Sequence, residues 1–319
     1  MPKVSIIIPV YKAEPYIERC ARTLFEQTLD DLEYIFIDDC SPDHSIDVMK
    51  RVLEEFPNRK HQVKVIHHTK NYGVGATRQD GIDAATGEYI IHCDPDDWVE
   101  LNIYELMYQE AKSKSADMVI CDFFENAKQN RSVHQQIIPT SKTRLFSDIA
   151  SGSFHTAFWN KLVKTTLAHE LRIPNGINLW EDMSYIPLIM LKDTNIIHVT
   201  EPLYHYRIDN DISMIHNLNH EKIQSQIQAV KVLTKYIDSK PNLNKIISNK
   251  DRLLLEWRAK SGYLCQPNKG NRKVWSSTFP EVSTKYLRLN LPWKSKLLTF
   301  LMKYNLLWLI RLKNIIFDR

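Results

Sequence analysis

Val4-Ser5-Ile6-Ile7-Ile8-Pro9-Val10-Tyr11 is β-branched and almost wholly apolar, the pattern of a strand buried on both faces of its sheet. Such a strand needs helices on both sides, and the residues that follow supply them. Ile17, Cys20, Ala21, Leu24 and Phe25 repeat at helical spacing behind Pro15, which suits a first turn. Further strands are predicted at Glu33–Asp38, Val63–His67, Glu88–Asp94 and Asp117–Cys121. Between them Ile46, Met49, Leu53 and Phe56 mark a helix, with Ser41 placed as its cap and Pro42 at its first position. The loop Asn71–Arg78 leads into a helix ending near Ala85, and Leu101–Lys114 is another. Strands alternating with helices predict an α/β fold with a mostly parallel sheet. Ligands of such sheets bind outside the carboxyl ends of the strands, where Tyr11, Asp38, Asp39 and the acids at 94–97 all fall.

Later segments carry weaker patterns. Residues 125–150 are polar and read as an irregular loop, and Phe154–Tyr206 is mixed and rich in aromatics. After about 216 the spacing of Ile223, Ile227 and Val230, and then of Leu253–Tyr263, predicts helices. Two regions are expected, 1–215 and 216–319. Five cysteines, odd in number and without a CxxC pair, argue against a zinc site or a disulfide framework and point to a reducing compartment. Net charge is +4, but residues 266–319 carry eleven Lys/Arg and two acids, a net +9, while the other 265 residues stand at −5.

Gly87–Trp98 concentrates the chemistry. After a buried strand, Asp94-Pro95-Asp96-Asp97 places three carboxylates in four residues, and Pro95 takes the backbone out of the strand. Acids this close repel unless a cation or a proton relieves them. Oxygen ligands suit a hard ion, Mg²⁺ or Mn²⁺, rather than zinc; a turn that caps the next helix is the alternative. Asp38-Asp39 can accept from the N–H of a base, and Tyr11 can stack on it; capping acids and a core tyrosine are the plain alternatives. Arg78, at the start of a helix, opposes the macrodipole and asks for an anion such as a diphosphate, or else makes a surface ion pair. Glu181-Asp182 offers a general base or helix-terminal acids. His205 and Arg207 can reach a phosphate, or simply belong to a half-exposed strand. Gly73-Val74-Gly75 is followed by no Walker lysine. His67, His68 and His92 lack metal-ligand spacing and are assigned to structure.

Taken in order, Val4–Tyr11, Asp38-Asp39-Cys40-Ser41, Asn71–Arg78, Gly87–Trp98 and Trp180-Glu181-Asp182 resemble the motifs of family 2 glycosyltransferases with a GT-A fold. Trp159-Asn160-Lys161-Leu162 and Tyr204–Arg207 look like that family's accessory signatures, so the resemblance covers roughly residues 3–215. It implies that Pro9, Val10 and Tyr11 line a nucleotide pocket. It implies that Asp39 binds a uracil-type base with Asp38 nearby, and that Arg78 approaches the nucleotide or its diphosphate. Asp94 and Asp96 would face the donor, with Asp96 and Asp97 at the metal; Pro95 stands where the family has serine. Asp182 would be the catalytic base, with Glu181 beside it. The implied reaction moves a sugar from a nucleotide-sugar, a UDP-sugar foremost, to a hydroxyl of a glycan or lipid-linked acceptor, with inversion. The implied setting is cytoplasmic synthesis of cell-surface polysaccharide.

Two rivals are weaker. A sugar-nucleotide pyrophosphorylase wants a glycine-rich basic loop after the first strand, and Val10-Tyr11-Lys12-Ala13-Glu14 has no glycine. A calcium-binding module of EF-hand type needs a glycine and a distal glutamate, and Asp94-Pro95-Asp96-Asp97-Trp98 lacks that glycine. The basic tail, Leu291–Phe317, has no uncharged run longer than the seven residues of Tyr304–Ile310, against the ~20 of a spanning helix. It reads as an interfacial helix on the anionic inner face of a membrane, or as a helix packed on the protein. Nucleic acid is not expected, because the basic groups form no known binding module.

Overall fold

The structure is a computed structural model and describes residues 1–128, 130–209, 218–265 and 269–306. The chain forms two compact units, Met1–Ile138 with His155–His216, and Pro139–Phe154 with Asn217–Arg319. The boundary expected at 215/216 lies outside the described residues.

In the first unit the elements run β1 (Val4–Val10), α1 (Ile17–Phe25), β2 (Leu32–Asp38), α2 (Ser45–Glu54), β3 (Val63–His67), α3 (Val74–Ala84), β4 (Tyr89–His92), β5 (Trp98–Val99), α4 (Ile103–Ser113), β6 (Met118–Asn126) and β7 (Arg131–His134). After α5 (Lys142–Ser151), which belongs to the second unit, come β8 (Lys161–Lys164), α6 (Thr165–Ala168), α7 (Ile186–Met190) and β9 (Ile196–Arg207). The nine strands make one sheet in the order β3-β2-β1-β4-β8-β6-β9-β5, with β7 beside β6. β1 lies parallel to both β2 and β4 and is buried along its whole length, which is why its sequence shows no alternation. β2 is parallel to β3, and β6 to β9. The long ladders are therefore parallel, as the strand–helix alternation predicts, while short β8 joins β4 to β6 by antiparallel pairing.

The apolar stripe of α1 packs on this sheet. Phe25 meets Tyr34 edge-on, with centroids 5.3 Å apart, and the Tyr34 hydroxyl donates to the Leu24 carbonyl at 2.6 Å. Each such fully buried side chain contributes about 1.5–3 kcal/mol. On the other face α3 approaches β1 so closely that a Cβ on Gly81 would lie 2.3 Å from Ile7 Cγ2.

Two expectations are corrected. The helix after β2 starts at Ser45, not at Ser41-Pro42. Ser41 is used elsewhere: its hydroxyl accepts from Lys12 N and donates to Asp43, which in turn accepts from Ser45 N. Residues 125–150 are not an irregular loop. β6 runs on to Asn126 and is flanked by β7 and β9, and α5 follows. Tertiary pairing overrides the weak strand pattern there. The helix was legible from its ends: the Ser141 side chain caps Arg144 N, and Gly152 closes it at φ 85°.

The second unit is helical. It holds α5, α8 (His220–Asp238), α9 (Pro241–Ile246), α10 (Asn249–Lys260), α11 (Lys269–Ser277), α12 (Pro280–Lys285) and α13 (Trp293–Lys303). Two buried or part-buried cations close helix ends. Arg258 donates to the Ile149 and Ala150 carbonyls of α5. Lys260 donates to the carbonyls of Trp275, Thr278 and Phe279 at 2.7–3.1 Å. Both sit where the macrodipole is negative. Among the described residues no helix is long and apolar enough to cross a membrane.

Candidate active site

Three acidic pairs stand at the edge where β1, β2 and β4 end. Asp39 is buried, and its carboxylate accepts from the His68 ring, from Tyr72 N and from Gly73 N, each at 2.8 Å. It thereby holds the loop into α3 closed. Asp38 points outward and accepts from Ser41 N at 2.8 Å and from His67 at 2.9 Å. Tyr11 is exposed, just past β1. Pro9 and Val10 are buried in the strand itself, opposite Ile37 and Asp38.

The backbone is strained here. Lys12, Cys40 and Trp180 have φ of 53°, 56° and 65°, each costing on the order of 1 kcal/mol for a residue with a Cβ. Lys12 follows the first strand end, Cys40 follows Asp39, and Trp180 precedes Glu181. The two glycines of 73–75 serve the backbone as well. A Cβ on Gly73 would fall 2.3 Å from Asn178 Oδ1, and one on Gly75 would fall 2.1 Å from the Ile177 carbonyl. They admit the segment that leads to Trp180.

Arg78 ties the acidic loop to that segment. Its guanidinium is buried, donating to Asp94 Oδ1 at 2.7 Å and to Glu181 Oε1 at 3.1 Å. Its Nη1 lies 3.5 Å from His92, and its carbon sits 5.1 Å over the Phe158 ring. Burial works against its charge, but Asp94 and Glu181 outweigh that and raise its pKa. His92 is driven well down by burial and by Arg78, so it stays neutral. Burial pushes the Glu181 carboxyl up to about 7, with Arg78 opposing and Asp182 adding to the rise. Residues 16 and 103 positions from Arg78 are thus brought to one cation.

Asp97 is the inner acid of the loop. Its oxygens accept from the Tyr204 hydroxyl and from Arg207 N, both at 2.7 Å. Burial, then Asp96 and Asp94, push its carboxyl well above the usual range. The Tyr204 hydroxyl also accepts from Asp94 N at 3.0 Å, so one phenol spans the loop. Asp96 is half-buried, and its carbonyl accepts from Arg207 Nε at 3.1 Å. Strand alternation in β9 separates the expected pair of phosphate ligands from the tyrosines. His205 is sandwiched between Trp98 and Phe124 and bonds Glu100 at 2.8 Å. Arg207 stays on the acidic loop. Tyr204 and Tyr206 instead stack on Trp159, at 4.4 and 5.4 Å.

Asp182 is half-buried and oriented by two donors, Thr156 Oγ1 and Met183 N, each at 2.8 Å. Lys161 holds the segment that carries Thr156. Its buried ammonium donates to the carbonyls of His155 and Ala157 and to Asn160 Oδ1 at 2.7–2.9 Å. Burial lowers its pKa to about 7, with Asp182 opposing the fall. Thr156 was not singled out from sequence, and Lys161 and Tyr204 were named there only as members of the accessory motifs Trp159–Leu162 and Tyr204–Arg207, with no role given to either.

The model of glycosyl transferase family 2 matches residues 5–173. The chain belongs to this family. A putative glycosyltransferase of Bacillus subtilis, EpsH, is 34% identical over 216 residues, which are 65% of this chain and 61% of EpsH. Among solved structures, S. aureus TarS in complex with UDP-GlcNAc superposes with a TM-score of 0.66 at 14% identity, over 96% of this chain and 88% of that one. The mannosyltransferase PcManGT of Pyrobaculum calidifontis, solved with GDP-Man and Mn²⁺, gives 0.52 at 16% identity, over 100% of this chain and 88% of its own. At these identities the two structures speak to the fold, and this family 2 chain has the GT-A fold that its sequence motifs implied.

Proposed function

We propose that the first unit is the catalytic part of an inverting glycosyltransferase. It moves a sugar from a nucleotide-sugar, a UDP-sugar foremost, to a hydroxyl of a glycan or lipid-linked acceptor in cell-surface polysaccharide synthesis. The observation that carries this is the Arg78 bridge, which gathers the Asp94 loop and the Glu181-Asp182 turn at the carboxyl edge of the parallel strands. Family membership and the donors named for TarS and PcManGT support the same reading.

In this scheme Tyr11 stacks on the base, and Asp38 and Asp39, with Pro9 and Val10 beneath, shape its pocket. Asp182 takes the proton of the acceptor hydroxyl as that oxygen attacks the anomeric carbon. Thr156 Oγ1 and Met183 N fix the plane of its carboxylate, and Glu181 on Arg78 keeps the turn in place. Arg207 faces the diphosphate from the acidic loop, and His205 supports it from beneath through Trp98.

The donor set fits a hard divalent ion. The loop offers oxygen ligands, and the raised Asp97 carboxyl marks charge that a cation would relieve. Among the described residues no three His, Cys, Asp or Glu are grouped to hold an ion, so the remaining ligands would be diphosphate oxygens and water. We assign Mg²⁺ or Mn²⁺ to Asp96, with Asp97 behind it; bound there, the ion supplies positive charge to the departing nucleoside diphosphate. We assign the protein to the cytoplasm, in peripheral contact with the inner face of the membrane through its basic C-terminal region.

The test is a calorimetric screen of UDP-, GDP- and dTDP-sugars with Mn²⁺, alongside UDP alone and an EDTA control. Metal-dependent binding of one nucleotide class, lost in Asp96→Ala, is expected. Absence of nucleotide binding in every condition would remove the transferase reading.

A further inference from the structure

α13 has two apolar faces, and only one is used inside its unit. Thr299, Leu301 and Met302 are buried, and Thr299 Oγ1 accepts from Trp257 Nε1 at 2.9 Å. Trp293, Leu297, Phe300 and Tyr304 are instead 69, 46, 41 and 53% exposed. At about 100° per residue these four fall within an arc of roughly 60°, a single narrow stripe along the helix and its C-cap. Lys296 and Lys303 flank the stripe on one side and Lys294 on the other. Leu287, 64% exposed, lies just before the helix, and Lys296 Nζ donates to its carbonyl at 3.1 Å. Of the apolar tail read from sequence, residues 307–317 lie outside the described residues.

Four large side chains in one exposed stripe are more than scattered surface apolarity. Charge decides what meets them. From residue 282 to 306 the chain carries Lys285, Arg288, Lys294, Lys296 and Lys303 and no acid. A second copy would bring these five cations against themselves. An anionic bilayer supplies both complements: headgroup charge for the lysines, and an acyl boundary for Trp, Leu and Phe, with Trp and Tyr at the level they favour.

We propose that the Trp293–Leu297–Phe300–Tyr304 face of α13 is the membrane-docking surface of this protein, lying in the plane of an anionic leaflet with Lys294, Lys296 and Lys303 at the headgroups. This specifies the peripheral contact assigned above and is independent of which sugar is transferred. Helix packing and membrane contact are then not alternatives, because opposite faces of one helix do each.

The test floats the full chain with phosphatidylcholine vesicles, with and without phosphatidylglycerol, and repeats it with Trp293→Ser/Phe300→Ser and with Lys294→Gln/Lys296→Gln/Lys303→Gln. Binding only to the anionic vesicles is expected, abolished by the first variant and weakened by the second roughly fivefold per lysine removed. Trp293 and Lys294 are exposed, Phe300 is 41% exposed and Lys296 and Lys303 are part-buried; melting temperature and nucleotide binding are measured alongside and should match the parent. Failure of the parent to bind anionic vesicles, or equal binding by both variants, would overturn the proposal. So would light scattering that shows the apolar variant converting a dimer to a monomer while vesicle binding persists. Loss of nucleotide binding in the parent would bear only on the transferase reading.

Discussion

Asp38-Asp39 and Asp96-Asp97 are the same dipeptide, one at the end of β2 and the other in the loop after β4, and the fold treats them differently. The Asp39 carboxylate accepts from three nitrogen donors, two of them backbone N–H groups of one loop. Asp97 accepts from one backbone N–H and one hydroxyl, while Asp96 and Asp94 press negative charge on it and burial drives its carboxyl well up. The first pair is settled by the protein's own donors. In the second, Asp97 is crowded by two neighbouring acids that its own two donors do not offset. Glu181-Asp182 repeats the division of labour, with Glu181 inward on Arg78 and Asp182 held outward by Thr156. Counting acids in a motif therefore does not count ligands; the donors around each acid do.

The largest effect should come from the outward acid of the third pair. Asp182→Asn is expected to lower turnover by about 10²–10⁴-fold while calorimetry shows donor affinity nearly unchanged. Unaltered turnover would eliminate Asp182 as the base. Arg78→Met leaves Asp94 and the buried Glu181 without their shared cation, and should cost about 3–5 kcal/mol in urea unfolding. A loss of ~1 kcal/mol or less, the size for an exposed pair, would show that the bridge does not organise the site.

The Glu181 carboxyl titrates near 7 in the fold, against 4.5 for a free side chain. Between those values the native state keeps a proton that the unfolded chain has released, so stability falls as pH rises through this window. Glu181→Gln should flatten that slope in melts taken from pH 4.5 to 7, and an unchanged slope would assign it to another group. The smallest effect separates the two members of the first pair. Asp39→Ala orphans backbone N–H groups and should cost ~1–3 kcal/mol, whereas Asp38→Ala should stay within ~1 kcal/mol. Equal costs would erase the distinction between inner staple and outer contact.

Much of the architecture was legible because its signals are local. A short apolar run rich in β-branched residues reads as a strand buried on both faces, and α1 showed its stripe within nine residues. The acids past the ends of β2 and β4 followed from where those strands stop. Residues 125–150 were misread because β6 and β7 are held by partners elsewhere in the sheet, and Ser41 because its hydroxyl is occupied by Lys12 N, 29 residues back. From sequence His205 and Arg207 could reach a phosphate or belong to a half-exposed strand; what the sequence did not show is that Trp98 and Phe124 enclose the His205 ring.

By itself, then, the sequence determined the α/β class, the run of parallel strands, the acidic pairs at the carboxyl edge and the helical, basic C-terminal region. Periodicity and apolar runs carry that information within a few residues of chain. The tertiary structure alone decided which acid of each pair turns inward, that Arg78 joins Asp94 to Glu181, that Tyr204 spans Asp94 and Asp97, and which face of α13 stays exposed. Each of these depends on donors, acceptors or packing surfaces supplied by distant parts of the chain, up to 110 residues away. No local pattern encodes the direction in which a carboxylate points; the groups that reach it do.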